Sequence, residues 1–210
     1  IKRTLRGLGY PPQFWCPVWM ATLTPSELTE LFGEKIELEE VFSEAIEQWE
    51  ACSQDNLVDK TLQFYTKLYL QDDILVKLDR ASMLVSLEAR SPFLDIELVN
   101  LVRRIPSNYK FRHGQTKYIL KKALEPLLPK DIIYRRKQGF GVPIGKWFEN
   151  RQFSLDFSKP QLPGFNPNFI QAKWFEHLQG KADQRMFLWN LWVLNSWRKI
   201  SPVGTRHSGT

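Results

Sequence analysis

Cysteine and histidine are scarce. Cys16 and Cys52 are the two thiols, and His113, His177 and His207 the three imidazoles, in 210 residues. Two isolated thiols make no disulfide framework, so a reducing, cytoplasmic home is expected. The histidines and cysteines stand at no metal-ligand spacing, so no Cys/His metal centre is expected. Long apolar runs are missing too. The uncharged apolar-rich stretch Met186–Trp197 falls well short of the ~20 residues that span a bilayer, and no membrane partner is expected. No apolar stretch follows Lys2, Arg3 and Arg6, so no signal peptide is read. With no Met at the start, the expectation is a processed product or a piece of a longer chain. Apolar residues at 43% and charged ones at 25% are close to the globular average, which excludes a disordered chain, a collagen-like chain and a coiled-coil rod.

What is present is a division of charge within a net of +6. Residues 1–60 hold 5 basic and 11 acidic side chains, whereas residues 101–151 hold 13 basic and 3 acidic. The second region attracts anions. Nucleic acid, an anionic surface and a phosphorylated small molecule all satisfy that charge, and composition does not choose between them.

Helix signals dominate. Residues 1–23, with Pro11, Pro12 and Pro17, read as irregular. Thr24-Pro25-Ser26-Glu27 reads as a capped helix start, with Gly33 as its end. Residues 39–52 place Val41, Phe42, Ala45, Ile46 and Trp49 on one helical face. Asn56 caps a third helix, and Asp72 or Asp73 opens a fourth with Leu75, Leu78, Ser82 and Val85 inward. Asp95 opens a fifth that Pro106 ends, and Gln115–Glu125 is a sixth. Pro143 starts a short helix, Asn166-Pro167 another, and Asp183 caps a last one. Apolar residues surround that last helix, so it is expected to be buried on most sides. Asn108–Arg112 and Ile132–Arg136 are short enough to be extended, Ser158–Pro167 reads as a loop, and 201–210 as a frayed tail. The domain reading is 1–60 irregular and acidic-helical, then 61–200 helical and carrying the active-site loops.

Three segments carry polar residues where a plain core would be apolar. Tyr69–Met83 contains Asp72, Asp73, Lys77, Asp79 and Arg80. It reads either as a dipole-matched, salt-bridged surface or as a cleft with a working carboxylate. Leu87–Asp95 contains Glu88 and Arg90 ahead of Ser91-Pro92, where a preceding helix is expected to stop. It reads as a buried ion pair or as a phosphate-binding Arg. Arg135–Pro143 sets three cations before Gly139 and Gly141, a composition that suits an anion or a solvated basic loop. Upstream, Gly114-Gln115-Thr116-Lys117 reads as a turn and helix start with a cation in the first turn, against the helix dipole, which favours an anion nearby.

Taken together, LQDDILVKLDRASM, SLEARSPFLD, RRIPSNYK, GQTKYILKKAL, LLPKDII and RRKQGFGVPIGKWF resemble the C-terminal half of the synthetase domain of glutamine-hydrolysing asparagine synthetases of the B type. The stretches follow that family's order from about Tyr69 to Phe148. The flanks match only in helical character. The resemblance implies a mainly α fold: the helical C-terminal portion of an ATP-pyrophosphatase-type synthetase domain, without its parallel sheet. The family's nucleophilic Cys, its Ser-Gly-Gly-x-Asp-Ser pyrophosphate loop and its Ser-Gly-Glu-Gly-type segment do not occur in these residues.

By that resemblance the complete enzyme uses ATP and Mg²⁺ to activate aspartate as an acyl-adenylate, which ammonia from glutamine then converts to an amide. Lys137 matches the family's active-site lysine, with Gly139 and Gly141 in its loop. Asp73, with Asp72 as second choice, matches an acidic position near the acyl-adenylate. Lys117 and Arg90 become supports for pyrophosphate or the loop, and Glu88 and Asp95 scaffold. The resemblance places the Mg²⁺ ligands on the missing part. It also implies a missing glutaminase and nucleotide-loop portion as partner, and an isolated chain that is inactive and could pair as a homodimer. Beta-lactam synthetases, peptide cyclases and sugar-linked amidotransferases share the scaffold and keep the acceptor open. A basic nucleic-acid module is disfavoured, because the cations lie in separate loops rather than along one recognition helix.

Overall fold

The computed structural model describes residues 5, 7–137, 139, 141–150 and 163–200. The expected tail 201–210 and the first half of the Ser158–Pro167 loop lie outside them. In chain order the helices are α1 Trp15–Met20, α2 Pro25–Phe32, α3 Leu38–Val41, α4 Ser43–Glu50, α5 Leu57–Phe64 and α6 Val76–Met83. After these come α7 Ile96–Arg104, α8 Ser107–Lys110, α9 Tyr118–Leu124, α10 Lys130–Ile133, α11 Ile144–Glu149, α12 Pro167–Leu178 and α13 Arg185–Ile200. A π-helical run, Tyr65–Leu75, joins α5 to α6. Strands β1 Phe111–Arg112 and β2 Gln115–Thr116 pair antiparallel, Phe111 opposite Thr116 and Arg112 opposite Gln115. The protein is mainly helical, as the sequence implies. Among the described residues no helix is long and apolar enough to cross a membrane.

The chain forms two units, one from Ile1–Pro17 with Phe42–Gly139, the other from Val18–Val41 with Phe140–Thr210. In the first, Cys16, Ala45 and Phe64 form a small core that Phe42 and Leu68 flank. Burial pushes the Cys16 thiol up, against a lowering hydrogen bond with Thr61. Asn56 caps α5 by accepting from the Asp59 amide. Asp59 also meets Lys110 at 3.1 Å, with both side chains largely covered, which ties α8 to the start of α5.

Several expectations for this unit change. Residues 1–23 are not wholly irregular, since α1 begins at Trp15. The expected helix over 39–52 is split at Phe42, whose φ of −107° and ψ of 21° leave the helical region. Asp72 and Asp73 open no helix, because the chain is helical without a break from Leu57 to Met83. That helix ends at Met83 rather than at Ser91, with Ser86 in the left-handed region (φ 57°). Leu78 and Val85 are exposed rather than inward. So are Leu84 (86%), Leu87, Phe93, Ile96 and Leu101. α9 starts at Tyr118, not Gln115, because His113 and Gly114 both take positive φ (50° and 75°) and turn a two-residue hairpin. Asn108–Lys110 and Ile132–Ile133 lie in helical turns rather than in extended chain.

The second unit holds the larger core. Leu23, Leu31, Phe148, Phe169, Ile170, Trp174, Phe187, Leu188 and Leu191 cluster, and Phe148 and Leu188 are 0% exposed. Phe148 meets Trp174 edge-on at 5.7 Å, a favoured aromatic geometry. The capping box at Thr24 forms in full, and Gly33 ends α2 in the left-handed conformation. Asn166 caps α12 through its side chain and also donates to the Glu30 carbonyl, which pins α12 to α2. Lys173 pairs with Glu27 at 2.7 Å. Burial raises the Glu27 carboxyl, but the hydrogen bonds from Lys173 and Thr24 outweigh it and hold the group below its ordinary range. That pairing stabilises fully above the unfolded carboxyl's range and is lost as pH falls through the lower folded value.

α13 corrects one further expectation. Phe187, Leu188 and Leu191 are buried, but Met186, Val193, Leu194 and Trp197 are exposed. The helix is buried along one face only. Leu188→Ala is therefore expected to cost about 2–5 kcal/mol, and Leu194→Ala, at 36% exposure, less than about 1 kcal/mol. Urea unfolding of both variants checks this, and equal large losses would mean that both faces are packed.

Candidate functional site

Six of the seven site positions read from the sequence, Asp72, Asp73, Arg90, Lys117, Lys137 and Gly139, belong to the first unit, and Gly141 to the second. Asp72 and Asp73 sit inside the π-helical run. A helix with i→i+5 bonding is rare, and such segments are found frequently at functional sites. Asp73 pairs with Lys77 one turn on, at 3.8 Å, with both side chains more than half exposed. A pair of that kind contributes little to stability, so the carboxylate stays accessible.

Arg90 meets Glu88 at 2.8 Å, and both are exposed. The buried ion pair that this segment suggested is thus a surface pair between neighbours in the chain. Asp95 does act as a cap, accepting from the Glu97 and Leu98 amides.

Lys117 is not a first-turn residue. It precedes α9 in the left-handed region, with φ 57° and ψ 34°. A side chain with Cβ in that region costs of order 1–3 kcal/mol and persists only where its surroundings enforce it. The β1–β2 hairpin enforces it here, and the ammonium is exposed with no ion pair among the described residues.

Lys137 is exposed and has no ion pair among the described residues. Gln138 and Phe140 of its loop lie outside the described residues. A Cβ added at Gly139 or Gly141 would meet nothing within 4 Å, and neither has positive φ. No hydrogen bond or ion pair joins Asp73, Arg90, Lys117 and Lys137 to one another. They are separate exposed charges with little internal compensation.

A cluster just before the basic loop escaped the sequence reading. Tyr134 donates to Glu125 Oε1, Lys122 donates to the same oxygen at 2.8 Å, and Lys121 lies 5.7 Å from the Tyr134 ring centre. The hydrogen bonds from Lys122 and then Tyr134 hold the Glu125 carboxyl below its ordinary range. The bond to Glu125 raises the Tyr134 hydroxyl. This cluster fastens the start of Arg135-Arg136-Lys137 to the end of α9. Sequence gave no signal for it beyond the charges themselves.

Comparison with known proteins agrees with these motifs. The family model described as asparagine synthase matches residues 5–199. The chain belongs to the asparagine synthase family. It is 31% identical over 137 residues to the glutamine-hydrolysing asparagine synthetase 1 of Bacillus subtilis, covering 63% of this chain and 22% of that protein. A putative glutamine-hydrolysing asparagine synthetase of Mycobacterium bovis is 33% identical over 138 residues, covering 63% and 21%. The glutamine-hydrolysing asparagine synthetase of Gallus gallus is 30% identical over 113 residues, covering 50% and 20%. The chain thus spans about a fifth of the length of these curated relatives. No solved structure matches it.

The strained backbone at Lys117 makes a separable prediction. Lys117→Gly is expected to leave stability unchanged or raise it by up to about 1 kcal/mol in denaturant unfolding. A loss beyond about 1 kcal/mol would mean that the side chain, not the hairpin, holds this turn.

Proposed function

We propose that this chain is the helical C-terminal portion of an ATP-dependent amide ligase of the asparagine synthase type, and that it presents active-site cations to the nucleotide. The observation that carries the reading is the Lys137 loop. It has three consecutive cations and two glycines, is tethered at Tyr134, and lies inside the stretch that matches the family. The complete enzyme activates the aspartate carboxylate with ATP and transfers ammonia from glutamine to it. In that reading Lys137 meets negative charge developing on phosphate and acyl-adenylate oxygens, as a preorganised donor does. Gly139 and Gly141 let the loop move against the ligand.

Asp73 orients the acyl-adenylate or its attacking amine, with Asp72 beside it on the π-helical run. Lys117 and Arg90 support pyrophosphate. The exposed cations fit a polyphosphate, which neutralises them on binding. Among the described residues no group of three His, Cys, Asp or Glu could hold a metal ion. In the same reading, as the resemblance implies, Mg²⁺ is held by the nucleotide phosphates and by carboxylates outside these residues.

Leu84, Val85, Leu87, Phe93, Ile96 and Leu101 are all exposed. This supports a missing portion that covers them, and an isolated chain without ligase activity. A homodimer and a cytoplasmic location belong to the same reading.

The test is pyrophosphate release from ATP, aspartate and ammonia by the longer polypeptide. Lys137→Ala is expected to lower kcat about 10²–10³-fold with thermal stability unchanged, and Asp73→Asn to lower it less. If Lys137→Ala loses less than about tenfold while Arg135→Ala or Arg136→Ala loses far more, the catalytic cation of this loop is one of the arginines.

A further inference from the structure

We propose that Tyr134 and Glu125 are positioning residues for the Lys137 ammonium, their hydrogen bond setting the root of the basic loop on α9. This rests on the ligase reading and adds to it the contact that places its lysine. Arg135, Arg136 and Lys137 are all exposed. Among the described residues their side chains make no ion pair, and no backbone hydrogen bond joins 135–137 to a neighbouring element. Lys137 is therefore placed through its chain neighbours. Three residues of chain reach at most about 11 Å, so a fixed Tyr134 confines Lys137 to that radius.

Tyr134 is held twice, both times by α9. Its hydroxyl donates to Glu125 Oε1, and Lys121 Nζ lies 5.7 Å from its ring centre. The two partners are one turn apart, the Glu125 amide donating to the Lys121 carbonyl. Phenylalanine would keep the contact with Lys121, since a cation needs only the ring face. The hydroxyl alone reaches Glu125. Lys122 donates to the same carboxylate oxygen at 2.8 Å. The acceptor thus carries its own counter-charge and repels an anion at the loop less. A surface contact of this kind adds little to stability. Its effect is on where the loop starts.

The same helix begins at Lys117, whose backbone the hairpin fixes. Lys117 and Glu125 bracket α9, about 12 Å apart along its axis. One short helix therefore carries the exposed Lys117 at one end and the anchor of the Lys137 loop at the other. Two cations placed with respect to one rigid element lose less freedom when a phosphate chain binds or reacts between them.

The experiment is a mutant cycle in the longer polypeptide, read as pyrophosphate release from ATP, aspartate and ammonia. Tyr134→Phe is expected to lower kcat roughly 3–10-fold, with KM for ATP and Tm unchanged, the pattern of an interaction realised in the transition state. Glu125→Ala should lose as much, and the two together no more than either alone. Glu125→Gln, whose amide oxygen still accepts from the hydroxyl, should keep most of the activity. In a Lys137→Ala background neither Tyr134→Phe nor Glu125→Ala should cost more than about twofold further, because the tether acts through that lysine. Full activity of Tyr134→Phe beside a crippled Lys137→Ala would overturn the tether and leave the ligase reading standing. So would losses that multiply with that of Lys137→Ala, or a loss in Glu125→Gln equal to that in Glu125→Ala. A silent Lys137→Ala would instead remove the lysine of the ligase reading, and the role of the tether with it.

Discussion

Burial is the constraint on which the rest depends, and the two units meet it unequally. The second unit closes around Phe148 and Leu188, and the cap at Asn166 and the Glu27–Lys173 pair fix α2 and α12 about that core. Among the described residues the first unit's buried cluster is small, Cys16, Ala45 and Phe64, with Phe14 buried nearby in the chain. From Met83 to Leu101 it sets large apolar side chains in contact with water, where burying each would contribute about 1.5–3 kcal/mol. The same stretch carries SLEARSPFLD. A sequence that keeps these residues apolar, against the cost of exposing them, is consistent with a surface shaped for cover by further chain.

The candidate site follows from the same inequality. Where no core demands compensation, charges can be left single. Asp73 and Arg90 have only weak neighbouring partners, and Lys117 and Lys137 have none among the described residues. The backbone does the positioning instead: a hairpin that forces Lys117 into left-handed geometry, a π-helical run beneath Asp72 and Asp73, and a Tyr134–Glu125 tether at the root of the basic loop. The cations among them gain most from an anionic ligand, because little has to be broken before they bind it.

Much of the local structure was legible in the sequence, because it depends on neighbours in the chain. Thr24, Asn56, Asp95 and Asn166 cap where their side chains predict. The acidic pair Asp72-Asp73 misled because an aspartate resembles a cap wherever it stands. The better signal was the lack of any glycine or proline between Asn56 and Ser91 to interrupt the helix. The hairpin before Lys117 was illegible because two-residue strands show no alternation, although His113-Gly114 is a turn pair. The exposed side of α13 could not be read either, since an apolar circumference does not say which side finds a neighbour. At the site, Lys137 and Lys117 stood out by composition and by resemblance. The tether at Tyr134 depends on a contact that no spacing announces.

The central proposal is that residues 84–104, with their exposed apolar side chains, form a surface that further chain of a synthetase domain covers. Hydrogen exchange tests it most directly, comparing the 210-residue chain with the longer polypeptide. Protection of the amides of 84–104 should rise by at least about tenfold in the longer polypeptide, while the Phe148–Leu188 core stays unchanged. Equal exchange across 84–104 in both would contradict it, and would leave these apolar residues as plain surface.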